Sequence, residues 1–403
     1  MKHRILVLGA GYAGAFAAGS LARRLSSADT EITVVNAESV FVERMRMHQL
    51  AAGRELATQQ LTDVFAGTGV RLRVARVTAV DPERRTVAVT GEDGDGEIGY
   101  DTLLYTLGSR VADHGVPGVA ENAFDVAGRP SALRLRARLD SLGGSGTVLI
   151  VGEGLTGIET ATEIAESRPG LSVALAARGA LGARLSPGAR LHLREAFDRL
   201  GITVHEHTGI EAVGATYAVG ADGTSYPADV TVWTAGFAVD AMAAAAGLEV
   251  TEDGRIVVDD TMRSASHPDV YAAGDSAYAI GDNGRPLPMS CASAGFTNMQ
   301  ATDAIVARLT GRRVPSVKKT YAYNHISLGR YDAIFQMVDR DVRAKSWFVG
   351  RKAARLKAGI LRTSLWATSH PTFCMPKRKH RLTATTTAAG ISAPATAPEN
   401  AAA

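Results

Sequence analysis

Gly9-Ala10-Gly11-Tyr12-Ala13-Gly14 and Gly152-Glu153-Gly154-Leu155-Thr156-Gly157 are two copies of one glycine fingerprint, and their surroundings decide the fold. Ile5-Leu6-Val7-Leu8 leads into the first and Thr147-Val148-Leu149-Ile150-Val151 into the second, and an alanine-rich stretch follows each. One such pattern says little in a chain with 42 glycines. Strand, turn and helix in that order, twice, say more, because each glycine has its own duty. The first permits a tight turn, the second lets the backbone approach a pyrophosphate, and the third lets helix and strand pack closely. The pyrophosphate then meets unpaired amides and the positive end of the helix dipole. Ala15-Phe16 and Ile158-Glu159 stand where a nucleoside triphosphate loop would carry Lys-Ser/Thr, which excludes that chemistry. The chain reads as α/β, with sites for two dinucleotides.

Composition narrows the class. With 403 residues, 46% of them apolar, the chain is long enough for two or three domains, each with its own core. A net charge of +3 and 6% aromatic residues give no basic and aromatic surface for nucleic acid, so none is expected as a partner. Cys291 and Cys374 are far apart and form no CxxC, which fits a reducing compartment; no metal is expected. Met1-Lys2-His3-Arg4 and the apolar run to Ala18 imitate a signal peptide, but that run contains the fingerprint glycines. The expected location is cytoplasmic, since no uninterrupted apolar stretch is long enough to span a membrane.

The plan after each fingerprint repeats. In the first copy, Ile32-Thr33-Val34-Val35 is followed by alternating strands over 71–80 and 86–90, and Thr102-Leu103-Leu104-Tyr105-Thr106-Leu107-Gly108 closes the unit. In the second, strands over 209–213 and 215–219 lead to Val230-Thr231-Val232-Trp233-Thr234-Ala235-Gly236. Strand character returns at Val270-Tyr271-Ala272-Ala273-Gly274-Asp275, before a helix over 292–309. The expected division is 1–110 with 239–312, an inserted unit over 111–238, a small unit over 313–375, and a tail over 376–403 too poor in large apolar groups to fold.

The order of the two fingerprints, the Tyr105 to Gly108 and Trp233 to Gly236 closures, and the Val270 to Asp275 return resembles the two-dinucleotide flavoproteins. Within that superfamily the chain is most similar to the type II NADH dehydrogenase and apoptosis-inducing-factor-like oxidoreductases. The resemblance covers about residues 1 to 310. It implies two Rossmann-like domains, the second inserted in the first, plus a small C-terminal domain, with FAD and NAD(P)H as cofactors. By resemblance, Gly9, Gly11, Ala13 and Gly14 line the FAD pyrophosphate, with Gly108 and Gly274 nearby. Arg46 contacts FAD or is a solvated charge, Val77 meets the adenine through its backbone, and Asp275 takes a ribityl hydroxyl or caps the next turn. Gly152, Gly154, Gly157 and Gly236 line the second nucleotide.

Departures from the pattern carry information too. Asn36 stands where an acid usually holds the FAD ribose, and it can still donate and accept hydrogen bonds. Ala176-Ala177-Arg178 offers no acid in the second unit, so Arg178 pairs with the 2'-phosphate of NADPH or is a surface charge, and both nicotinamide forms stay open. The stretch 40–53 lacks the redox cysteine pair of the disulphide reductases, so electrons leave the flavin directly.

Hydride passes from nicotinamide to flavin, and the cofactor carries the chemistry. No residue is assigned firmly to catalysis. Glu159, beside the nicotinamide or paired with a surface Arg, His48, beside the flavin or structural, and Cys291, a flavin neighbour or a small buried hydrophobe, are the candidates. The helix beginning near 293–295 would aim its positive end at the flavin.

The basic stretch 340–362, read as an amphipathic helix, either lies peripherally on an anionic membrane or packs on the FAD domain. A quinone-like small acceptor is expected, and a homodimer is one assembly open to the chain. Competing readings are a ferredoxin-type reductase, a tailoring oxidoreductase of specialised metabolism, and a non-catalytic nucleotide sensor.

Overall fold

A computed structural model describes residues 1–92, 94–372 and 379–383. The first sheet runs Val270–Ala272, Thr102–Tyr105, His3–Leu8, Thr30–Asn36, Arg71–Val74, with every pairing parallel. Parallel strands are covered on both faces, which is why Ile5 to Leu8 is a continuous apolar run and is wholly buried. Each such side chain contributes roughly 1.5–3 kcal/mol of hydrophobic stabilisation. The helices Tyr12–Arg24 and Cys291–Thr310 pack on one face, and the antiparallel strands Arg76–Asp81, Thr86–Thr90 and Gly96–Gly99 on the other.

The second sheet repeats that plan in the order Ala123–Phe124, Val230–Trp233, Gly146–Val151, Leu171–Ala176, Thr203–His205, again all parallel. The helices Arg129–Ser141, Leu155–Ser167 and Pro187–Arg199 cover one face. The antiparallel strands Ile210–Val213, Tyr217–Gly220 and Ser225–Pro227 cover the other. The chain enters this unit through Arg110–Val111 and leaves through Phe237–Ala238, which pair antiparallel. Val270–Ala272 then completes the first sheet, so the second Rossmann-like unit is inserted in the first.

Two expectations change. The stretch 71–80 is two strands, because Ala75 donates to the Asn36 carbonyl at 2.9 Å and the chain there leaves the parallel sheet for the antiparallel one. The stretch 340–362 is not one helix. Ala344–Val349 closes an antiparallel sheet with Tyr323–Ser327 and Ala333–Val338, and the helix is Arg351–Ser369. Trp347, Phe348 and Val349 favour a strand, and Gly350 at φ 78° makes the break.

The tail expected to be disordered over 376–403 falls mostly outside the described residues, as does Cys374. Its described part, 379–383, is held: Ser26 donates to the His380 carbonyl at 2.9 Å, Arg381 pairs with Asp29 at 2.6 Å, and Thr383 donates to the Leu309 carbonyl at 3.1 Å.

One core joins all three units. Met47 and Leu50 from the first, Ile158 and Ile164 from the second, and Ile326 and Ile334 from the C-terminal unit share it.

Candidate active site

Both fingerprints make the same turn. Gly9 has φ 90° and Gly152 φ 113°, a region that strains other residues. A Cβ on Gly14 would come within 1.9 Å of the Gly9 carbonyl oxygen, and one on Gly157 within 1.9 Å of the Gly152 oxygen. The third glycine in each copy is therefore required by packing alone. Nothing stands within 4 Å of a Cβ on Gly11 or Gly154. Those two face open space, as a pyrophosphate needs. Gly11 and Gly154 are also the N-caps of their helices, and neither helix has a side-chain cap, so the first-turn amides are free for an anion.

The closing strands lock each turn with a threonine. Thr106 Oγ donates to the Leu8 carbonyl at 2.6 Å, and Thr234 Oγ donates to the Val151 carbonyl at 2.8 Å. Sequence reasoning quoted both threonines without giving them a role; their recurrence just after the closing strand in each copy was the available signal.

The first cradle fits a dinucleotide. Gly274 has φ 75°, donates to Thr297 Oγ at 2.9 Å, and would place a Cβ 3.4 Å from that of Ala13. Asp275 follows, accepting from Ser109 Oγ at 2.7 Å and lining a shallow hollow with Gly274 and Ser293. Gly108 has φ 74° and donates to Ser276 Oγ at 3.1 Å, while Val77 is buried at the start of the antiparallel sheet, two residues past the Ala75 link to Asn36.

Asn36 is already engaged: Oδ1 accepts from the Ala10 amide and Nδ2 donates to the Glu38 carbonyl, each at 2.8 Å. It braces the fingerprint turn. Arg46 is tied to Glu43 and Gln49, both at 3.0 Å. Arg44, two residues before Arg46, is the cation at the junction. It donates to the Ser109 carbonyl at 2.7 Å, lies 3.9 Å from Asp275, and stacks 5.1 Å above the Phe237 ring where the chain leaves the second unit. Burial lowers its basicity, and Asp275 opposes that.

In the second cradle, Gly236 has φ 126° and its carbonyl accepts from Ala112 at 3.1 Å, so it closes the entry ribbon. Arg178 is exposed at the end of Leu171–Ala176.

The three catalytic candidates separate. Cys291 opens its helix beside the Ser290 cap, and burial with the nearby Asp275 charge pushes its thiol up to about 11, so it stays protonated and is no nucleophile at neutral pH. Glu159 and His48 come together against the C-terminal unit. Glu159 Oε1 accepts from the Ser327 amide at 2.9 Å and from Lys357 Nζ, and Oε2 lies 3.8 Å from His48 Nδ1.

Glu159 thus faces the C-terminal unit, and Lys357, within the basic stretch 340–362, is only 3% exposed. Burial alone would raise the Glu159 carboxyl; Lys357 and His48 outweigh it and hold it below the ordinary range. Burial takes His48 and His325 down to about 4, so both are neutral, and His48 Nε2 and His325 Nδ1 are buried without a hydrogen-bond partner. Nothing in the local sequence signals this cluster, since its members come from three units.

A family model described as pyridine nucleotide-disulphide oxidoreductase matches residues 3–297. The chain belongs to that family. An NADH dehydrogenase-like protein of Mycobacterium tuberculosis is 32% identical over 314 residues, 72% of this chain and 76% of the relative. A type II NADH:quinone oxidoreductase of Staphylococcus haemolyticus is 25% identical over 389 residues, covering 89% and 94%. Among solved structures, NDH2 of Plasmodium falciparum in complex with NADH superposes with TM-score 0.76 at 13% identity, covering 94% of this chain and 100% of that one. The Aquifex aeolicus sulfide:quinone oxidoreductase gives 0.75 at 17%, covering 92% of each. This member of the family is an NAD(P)H-dependent flavoprotein oxidoreductase, and FAD and NAD(P)H are its cofactors. Among the described residues no helix is long and apolar enough to cross a membrane, and Cys291 is the one cysteine.

Proposed function

We propose that the chain takes hydride from NAD(P)H and delivers the electrons to a quinone or a similar small acceptor. The observation that carries this reading is the pair of open, uncapped fingerprint turns at Gly11 and Gly154, built alike in two units that share a core. A sensor needs one nucleotide; hydride transfer needs two. Relatives named type II NADH:quinone oxidoreductase, and a demethylphylloquinone reductase of Synechocystis, support the acceptor class.

When bound, FAD supplies a ring system that accepts hydride and returns electrons. The chain's own residues orient and insulate. Gly11 and the amides beyond it hold the FAD pyrophosphate, Gly154 and its amides that of the nicotinamide nucleotide, and Asp275 accepts a ribityl hydroxyl. The helix Cys291–Thr310 directs its positive end toward the flavin, a local effect of about 0.3–1 kcal/mol, or more when buried. Arg44 fixes the junction between Asp275 and Phe237. His48 and Glu159 are buried together against the C-terminal unit.

Peripheral membrane contact is part of the proposal. Leu356 and Trp366 are exposed on the C-terminal helix among Arg351, Lys352, Arg355 and Arg362, with Phe348 exposed on the preceding strand. Such a surface suits anionic lipid, from which an apolar quinone can be drawn. Trp347 packs instead on Gly188 of the inserted unit.

The test is a protein preparation whose chromophore is identified by mass and which is titrated without oxygen with NADH and NADPH. Bleaching, then recovery on adding a soluble quinone, is expected. A colourless protein that cannot be loaded with flavin sinks the proposal.

A further inference from the structure

In the first unit, a side chain at the end of the second strand reaches back to the fingerprint: Asn36 Oδ1 accepts from the Ala10 amide at 2.8 Å. Gly9 donates to the Val35 carbonyl and Gly152 to the Ala176 carbonyl, so the residue matching Asn36 in the second unit is Ala177, and the one matching Ala10 is Glu153. Ala177 has no polar group to offer. Glu153 makes the link in the opposite direction: Oε2 accepts from the Arg178 amide and Oε1 from the Gly179 amide, both at 3.2 Å. The acid absent from the strand end is supplied from inside the fingerprint.

We propose that Glu153 is a specificity-determining residue that selects NADH over NADPH. The inference rests on the proposed nicotinamide donor and deepens it. A carboxylate at this place accepts a ribose hydroxyl, as the usual strand-end acid does. A 2'-phosphate would seek the same two amides, which Glu153 already occupies, and would set a second anion beside the first. Arg178 acts the other way. It is exposed and able to attract a phosphate. The Glu153 carboxylate rests on the Arg178 amide, so removing that carboxylate should leave Arg178 to serve NADPH.

The experiment uses the flavin-loaded full chain, its Glu153→Gln variant and the double variant Glu153→Gln with Arg178→Gln. Equilibrium dissociation constants for NAD+ and NADP+ are measured without turnover, beside kcat/KM for NADH and NADPH. The unaltered chain is expected to favour the form without the 2'-phosphate by at least about tenfold. Glu153→Gln should narrow that ratio by about tenfold, and adding Arg178→Gln should cancel the gain. A preference for NADP+ in the unaltered chain, or an unchanged ratio in Glu153→Gln with both nucleotides still bound, overturns the inference while leaving the donor reading intact. Failure of either nucleotide to bind or to bleach the flavin overturns the donor reading, and this one with it.

Discussion

The two fingerprint turns share a backbone and differ in what surrounds it. Both start with a glycine at positive φ, both end with a glycine pressed on the turn's own carbonyl, and both are locked by a threonine from the closing strand. The seventh residue after the first glycine is Phe16 in one copy and Glu159 in the other. The link to the next strand is Asn36 in one and Glu153 in the other, made in opposite directions. Geometry that the phosphate dictates is kept in both copies. Side chains that do not touch the phosphate are free to take on separate tasks, and Glu159 has become the buried tie to the C-terminal unit.

The hardest test of that asymmetry is Lys357→Met. It leaves Glu159 buried without its cation, which should cost about 3–5 kcal/mol in denaturant unfolding. Pairing it with Glu159→Gln should recover much of the loss; equal instability of single and double variants would deny that the ion pair matters. Phe16→Leu, at the matching place, should cost far less.

Gly14→Ala and Gly157→Ala come next. Each drives a Cβ into a backbone carbonyl and should cost about 1–3 kcal/mol or more. Gly11→Ala and Gly154→Ala sharpen the contrast, because the protein has room at both. Thermal melting should barely move, while Gly11→Ala loses flavin and Gly154→Ala keeps flavin but loses nucleotide binding. Equal melting losses at Gly11 and Gly14 would break the division of duties among the glycines.

Acid should probe the buried cluster where the three units meet. The folded chain holds His48 and His325 down near 4 by burial, against 6.5 when unfolded. Unfolded chains therefore bind more protons in that window, and the stability these histidines confer is fully present above pH 6.5 and drains away as pH falls toward 4. Glu159, held low, adds a loss in the same direction as pH drops through its folded value. His48→Gln should flatten the pH dependence of unfolding. The smallest effect is expected from Thr106→Val or Thr234→Val, each near 1 kcal/mol for one neutral hydrogen bond.

Much of the fold was legible because its signals are local. The fingerprints, the continuous apolar strands and the return at 270–275 are each written in consecutive residues whose spacing a strand or turn demands. The tight turns at Gly9, Gly108 and Gly274 and the close packing at Gly14 were legible for the same reason. Legibility ended where contacts join distant segments. Arg44 and Arg46 look alike in sequence, and only packing puts one on Ser109 and Phe237 and the other on Glu43. Lys357 reads as one more cation of a basic stretch, yet the turn at Gly350 starts the helix in a phase that buries it.

The amino-acid order alone determined two dinucleotide turns, the insertion of one unit in the other and the lack of a redox cysteine pair in 40–53, because a tight turn over a phosphate leaves glycine no substitute. Tertiary structure alone decided which charges meet: Glu159 with Lys357, Glu153 with the Arg178 and Gly179 amides, Arg44 with Asp275. A charge's partner is fixed by distance in space and by the loss of water on burial, and neither is written in the spacing along the chain.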